Sequence, residues 1–127
     1  MKLLLDTHAF LWFVAGDRRL SAAARRALDG PKAQPLLSVA SVWELAIKSS
    51  LGRLTLPETL EAYLAKKLGT NLRLLALELP HVVAVERLPF HHADPFDRVL
   101  VAQALTERLP IVTRDREFRK YGVDVVW

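Results

Sequence analysis

Apolar residues in this chain fall into two patterns that take turns: short uninterrupted runs, and longer stretches where apolar and polar positions recur at helical spacing. The first run, residues 2–5, stops at Asp6 and predicts a buried strand, after which Phe10, Leu11, Trp12 and Val14 mark a helix. Ser21 stands as the N-cap of a second helix that Gly30 and Pro31 end. Residues 35–39 predict another strand, and Ser41 with Glu44 three positions on has the spacing of a capping box, opening a helix that Gly52 ends. An amphipathic helix over 59–68 follows Pro57, residues 72–77 fit a strand or an extended connector, and 80–87 fit a short helix. Pro95 takes the favoured first position of a helix reaching about residue 109, apolar almost all round and therefore buried. Two late strands, 111–113 and 123–126, flank a short helix over 117–121. Such alternation predicts an α/β fold with a mainly parallel sheet covered by helices on both faces. In such sheets functional side chains collect beyond the carboxyl ends of the strands.

Length and composition narrow the classes. With 127 residues and no repeat, linker or low-complexity tract, the expectation is one domain over 1–127. Hydrophobic residues make up 51% of the chain, but no apolar run approaches the roughly 20 residues of a membrane-spanning helix. Asp6 and His8 interrupt the apolar amino terminus, which otherwise has the look of a signal peptide, so a soluble cytoplasmic protein without membrane partners is expected. The absence of cysteine excludes disulfides and thiolate metal sites, leaving oxygen and imidazole as ligands. A net charge of +4 favours a polyanionic partner, and it matters chiefly because the acids sit inside apolar segments while Arg and Lys flank them.

Each of those acids has two readings. Asp6 ends the first strand, where it can point into the crevice or cap the next helix. Glu44 belongs to a capping box or faces a polar site. Asp94 and Asp97 complement the positive end of the helix that begins at Pro95, yet residues three apart share a face and repel without a cation or proton between them. Asp115 follows a late strand, as a turn residue or as one more acid at the same edge. Their joint placement at strand ends and helix starts points to convergence, and converging carboxylates call for a hard divalent cation such as magnesium, with manganese able to substitute. His8, His81, His91 and His92 lack the paired spacing of a zinc site, and no Gly-x-Ser-x-Gly turn or glycine-rich phosphate loop is present.

The segments DTHAFLWF, SVASVWELAIKSSLGRLTLP, HHADPFDRVLVAQAL and IVTRDREFRKYGVDVVW, in this order across nearly the whole chain, resemble the PIN-domain ribonucleases, specifically the VapC-type toxins of toxin–antitoxin pairs. The resemblance implies a single PIN-like domain with sheet order 3-2-1-4-5. It further implies a magnesium- or manganese-dependent endoribonuclease, a homodimer, and a small cognate antitoxin. Carried over by position, the catalytic acids fall on Asp6, Glu44, Asp97 and Asp115, with Asp6, Asp97, Asp115 and the extra Asp94 as metal ligands. Thr113 falls where a small hydroxyl residue supports them. Arg18, Arg19, Lys48, Arg114, Arg116 and Arg119 are expected to meet the RNA backbone. Arg98 is expected to pair with a neighbouring acid, while Trp12, Phe13 and Trp43 fit core or dimer packing better than base stacking. The rival readings are weaker. A receiver domain needs an acidic pair and a late Lys, a haloacid-type phosphatase needs Asp-x-Asp where His8 stands, and a non-catalytic PIN-fold RNA- or protein-binding domain has no need of intact acids.

Overall fold

The computed structural model describes all 127 residues. Five strands, β1 (Lys2–Leu5), β2 (Gln34–Ser38), β3 (Arg73–Leu75), β4 (Ile111–Val112) and β5 (Val125–Val126), form one all-parallel sheet in the order β3-β2-β1-β4-β5. Six α-helices connect them: α1 (Thr7–Ala15), α2 (Ala22–Asp29), α3 (Val39–Ser50), α4 (Leu60–Lys67), α5 (Leu79–Ala84) and α6 (Pro95–Glu107). Two 3₁₀ turns, Val85–Arg87 and Arg116–Tyr121, complete the set.

The period of two along β1 divides the core. Leu3 and Leu5 point to one face, where they pack with Phe10, Ala24, Leu28 and Tyr63 from α1, α2 and α4. Leu4 points to the other, where it meets Leu100, Val101 and Ala104 of α6 together with Phe118 and Tyr121. Leu3, Leu4 and Leu5 are each within 1% of complete burial, so the alternation is one of faces and both faces are covered. No helix is long and apolar enough to cross a membrane.

Three local expectations change. The helix after β2 is capped by Ser38, whose hydroxyl accepts the Ala40 N–H at 3.0 Å, and Ser41 lies inside it. The predicted capping box therefore does not form, and Glu44 sits one turn further into the helix than the sequence pattern placed it. The run 72–77 yields only a three-residue edge strand. Arg98 makes no ion pair; its guanidinium donates to the carbonyls of Val85, Leu88 and Pro89 and to the Tyr121 hydroxyl, and lies 4.2 Å from the Phe90 ring centroid. Four acceptors satisfy the planar donor fork, so a buried arginine is held without an acid.

Candidate active site

Parallel strands end together, and the sheet brings the ends of β1 and β4, the start of α6 and one face of α3 to a single cleft of about 210 Å³. Asp6, Glu44, Asp94, Asp97 and Asp115 all line it, with Lys48 and the imidazoles of His8 and His92.

Three of the acids sit at N-caps, and the two readings open at the sequence level turn out to be compatible. Asp6 Oδ1 accepts the Ala9 N–H at 2.7 Å while Oδ2 accepts the Thr113 hydroxyl. Asp115 Oδ1 accepts the Glu117 N–H at 2.9 Å while Oδ2 lies 2.8 Å from His92 Nε2. Asp94 Oδ1 accepts two N–H groups, Phe96 at 2.8 Å and Asp97 at 3.1 Å. One oxygen of each carboxylate is spent on a helix, which fixes the side chain, and the second is left to other partners.

The remaining acids are held from helix interiors. Glu44 is 6% exposed and accepts the Thr7 hydroxyl at 2.6 Å through Oε1 and the Lys48 ammonium at 2.6 Å through Oε2. Ser41 Oγ lies 3.0 Å from the same Thr7 hydroxyl. Lys48 thus stands inside the cleft as the partner of Glu44. Asp97 follows Asp94 by three positions, and its Oδ2 is 3.2 Å from His92 Nε2.

Crowding shows in the protonation of the acids. Burial pushes the Asp97 carboxyl up to about 7, reinforced by the negative charges of Asp94, Asp6 and Glu44 and opposed by His92. Asp6 is raised as well, mainly by burial, although the Thr113 hydroxyl and the Ala9 N–H pull it back. These are the marks of carboxylates held close together and out of water.

His92 was not singled out from sequence. Its Nδ1 accepts the Asp94 N–H at 3.2 Å, so in the neutral ring the proton is on Nε2, which faces Asp97 and Asp115 together. The ligand-capable atoms of these three residues lie within 4.8 Å of one another. A second His in adjoining positions hid the signal, because His91 instead stacks edge-on against Tyr121 at 5.0 Å.

Thr113 is fully buried and links two acids, donating to Asp6 and accepting the Asp115 N–H at 3.0 Å. Arg114, Arg116 and Arg119 lie just outside, lining a neighbouring groove that Thr113 also walls. Arg18 is exposed in the turn after α1, and Arg19 beside it is paired with Asp17 at 2.7 Å. Trp43 is 59% exposed and packs edge-on against Phe96, away from the acids, while Trp12 stacks on His8.

Comparison with known proteins follows the same lines. A family model described as the PIN domain matches residues 3–124. Ribonuclease VapC22 of Mycobacterium tuberculosis is 31% identical over 121 residues, covering 94% of this chain and 91% of that protein. Among solved structures, VapBC2 from Rickettsia felis, bound to a DNA fragment from the promoter, superposes with a TM-score of 0.73 at 13% identity over 98% of this chain and 97% of that one. VapC20 of Mycobacterium tuberculosis, described as a Sarcin-Ricin loop cleaving toxin, superposes with a TM-score of 0.65 at 18% identity over 95% of each chain.

Proposed function

The chain belongs to the PIN-domain family, and from that premise we propose that it is a divalent-metal-dependent endoribonuclease of the VapC type, the toxin partner of a small cognate antitoxin. One observation carries the proposal: five carboxylates from four separated segments meet in one cleft, three of them fixed through one oxygen each. The donor set fits a hard cation, since it is almost all carboxylate oxygen and its crowding is what a dication relieves. Asp6, Asp94, Asp97 and Asp115 would hold it, with magnesium as the expected ion and manganese as a substitute. When bound, the cation supplies Lewis acidity to a phosphodiester and to the water that attacks it.

The chain's own groups do the rest. Glu44, anchored by Thr7 and Lys48, orients the attacking water and accepts its proton. Thr113 keeps Asp6 and Asp115 in register across the ends of β1 and β4. Asp97, whose carboxyl burial pushes up to about 7, would be held ionised by a bound cation. RNA is the substrate class this family reading brings, and the cytoplasm its place of action.

A homodimer is part of the same proposal. Trp43 and Val82, exposed by 59% and 49%, line an apolar groove between α3, α5 and α6 that a second copy would cover, and Leu79 and Val83 of α5 are exposed as well. Sedimentation of Trp43→Glu as a monomer, where the parent chain sediments as a dimer, is the expected result.

The direct test is incubation of mixed RNA with the protein in magnesium, in manganese and in excess EDTA. Metal-dependent cleavage with internal cuts is expected. Binding of RNA without cleavage in any metal favours the alternative, a non-catalytic PIN-fold RNA- or protein-binding domain.

A further inference from the structure

Helix α6 buries two polar side chains: Arg98, which meets loop carbonyls and the Tyr121 hydroxyl, and Gln103, which is wholly out of solvent between Ala102 and Ala104. A buried carboxamide is costly unless its polar atoms find partners, and Met would fill the same space without that cost. Both ends of this one are engaged. Its Oε1 accepts the Ser38 hydroxyl, and its Nε2 donates to the Ala76 carbonyl at 3.2 Å. The same nitrogen lies 3.5 Å from His81 Nδ1, which accepts the Glu78 N–H at 3.0 Å. Ser38 and His81 are themselves exposed by no more than 2%. One side chain of α6 thus meets the end of β2, the connector after β3, and α5.

The consequence falls on α3. Ser38 closes β2 and caps α3 at once, its hydroxyl accepting the Ala40 N–H while donating to Gln103. No other hydrogen bond joins α3 or its cap to α6. Glu44 rides on α3, whereas Asp94 caps α6 and Asp97 lies in its first turn, so the spacing of these carboxyls depends on how the two helices sit. Lys48 cannot set that spacing, because it belongs to α3 and moves with Glu44. Thr7 fixes Glu44 toward α1 alone. Trp43 does meet Phe96 edge-on at 5.1 Å, but on the solvent side of the pair, where Trp43 is 59% exposed.

We infer that Gln103 is a positioning residue: through Ser38 it seats α3, and Glu44 with it, against the helix that carries Asp97. The inference rests on the ribonuclease proposal and adds to it a side chain that meets neither RNA nor metal. A buried polar network whose members are satisfied fixes one arrangement, where apolar packing tolerates several near-equal ones. Misplacing a reacting group by about 1 Å can cost roughly 100-fold in rate, so a tie at this depth acts on the chemical step before it acts on binding.

The test uses Gln103→Met, which keeps the length of the side chain and removes its polar atoms, Ser38→Ala, and the two together. In steady-state cleavage of a labelled RNA with magnesium, Gln103→Met is expected to lose about 10-fold in kcat. KM, and manganese affinity by calorimetry, are expected to stay within about 2-fold of the parent, because the side chains that meet RNA and metal are untouched. The double variant is expected to be no slower than Ser38→Ala alone, since Gln103 acts through that hydroxyl. Amide hydrogen exchange of Gln103→Met, followed without RNA or metal, is expected to quicken about 10-fold over residues 39–45 and to keep the parent's rate over 95–99. Should Gln103→Met fail to fold, Gln103→Asn, which stays polar but falls one methylene short of Ser38, takes its place in every measurement. A folded variant with the parent's kcat overturns the inference, and so does α3 exchange equal to the parent's. A rise in KM together with a fall in manganese affinity marks general loosening and overturns it too, as does a double variant whose losses simply multiply. Variants that cut as well as the parent leave the ribonuclease proposal standing, whereas a parent that never cuts, with α3 alone loosened in Gln103→Met, defeats that proposal and keeps the tie.

Discussion

The acidic cleft and the arginine groove meet at Thr113, which lines the groove and bonds two acids of the cleft, and they are built on opposite plans. In the cleft, Asp6, Asp94 and Asp115 each spend an oxygen on a helix or turn amide, and Glu44 is gripped by a hydroxyl and an ammonium. In the groove, the side chains of Arg114, Arg116 and Arg119 are exposed and make no ion pair. Chemistry on a phosphodiester needs charges that do not move when the substrate arrives, while holding a flexible strand needs charges that can follow it. Rigidity is concentrated at the carboxylates and withheld from the arginines beside them.

The contrast is broken most severely at Asp97. Asp97→Asn is expected to lower cleavage by more than about 100-fold, beyond the 10–100-fold range of groups that merely hold a ligand in place. Without metal the same change is expected to stabilise the fold. The folded Asp97 loses its proton only at about pH 7 while the unfolded side chain releases it near the ordinary aspartate value of 3.8, so stability falls as pH rises between those limits and is level above. At pH 8 the relief is on the order of 4 kcal/mol, and near pH 4 little of it is left. Chemical denaturation of both proteins in EDTA across that range checks the slope.

Thr113→Val sharpens the comparison, because it removes the hydroxyl that ties Asp6 to Asp115 without touching any charge. Loss of the hydroxyl leaves Asp6 Oδ2 and the Asp115 N–H without their partner, with an expected 10–100-fold fall in manganese affinity, read by calorimetry. His92→Phe keeps the ring against Phe118 and removes the N–H that faces Asp97 and Asp115. Roughly 1–3 kcal/mol of stability is expected to go in EDTA, and most of it to return when manganese takes over as the positive partner. Arg116→Ala is expected to be the mildest change, within about 0.5 kcal/mol of the parent by thermal unfolding, as befits a side chain that holds nothing.

Much of this was readable from residue order. The short apolar runs at β1 and β4 each stop one or three residues before an acid, and Pro95 marks the start of α6 to the residue, because strand burial and proline geometry are local properties. Sheet order came only through family likeness, since parallel strands are joined by helices and carry no local sign of their neighbours. Where serines competed, the pattern misled. Ser38 and Ser41 both suit an N-cap, and Ser38 takes it because β2 ends there and the helix starts at once, which leaves Ser41 to face Thr7. Arg98 and His92 were opaque for another reason. Their partners are loop carbonyls and acids up to 23 residues away, whose approach depends on tertiary packing alone.

The hydrogen bond between Thr113 and Asp6 joins positions 107 residues apart. On a ribosome adding about 5–20 residues per second, Asp6 waits roughly 5–20 s before its partner has even been translated. Throughout that interval the nascent polypeptide lacks Asp115, β4 and the arginine groove, and the acidic cleft is incomplete. A cleft assembled from residues so far apart along the chain stays open-ended until most of the intervening polypeptide has been made.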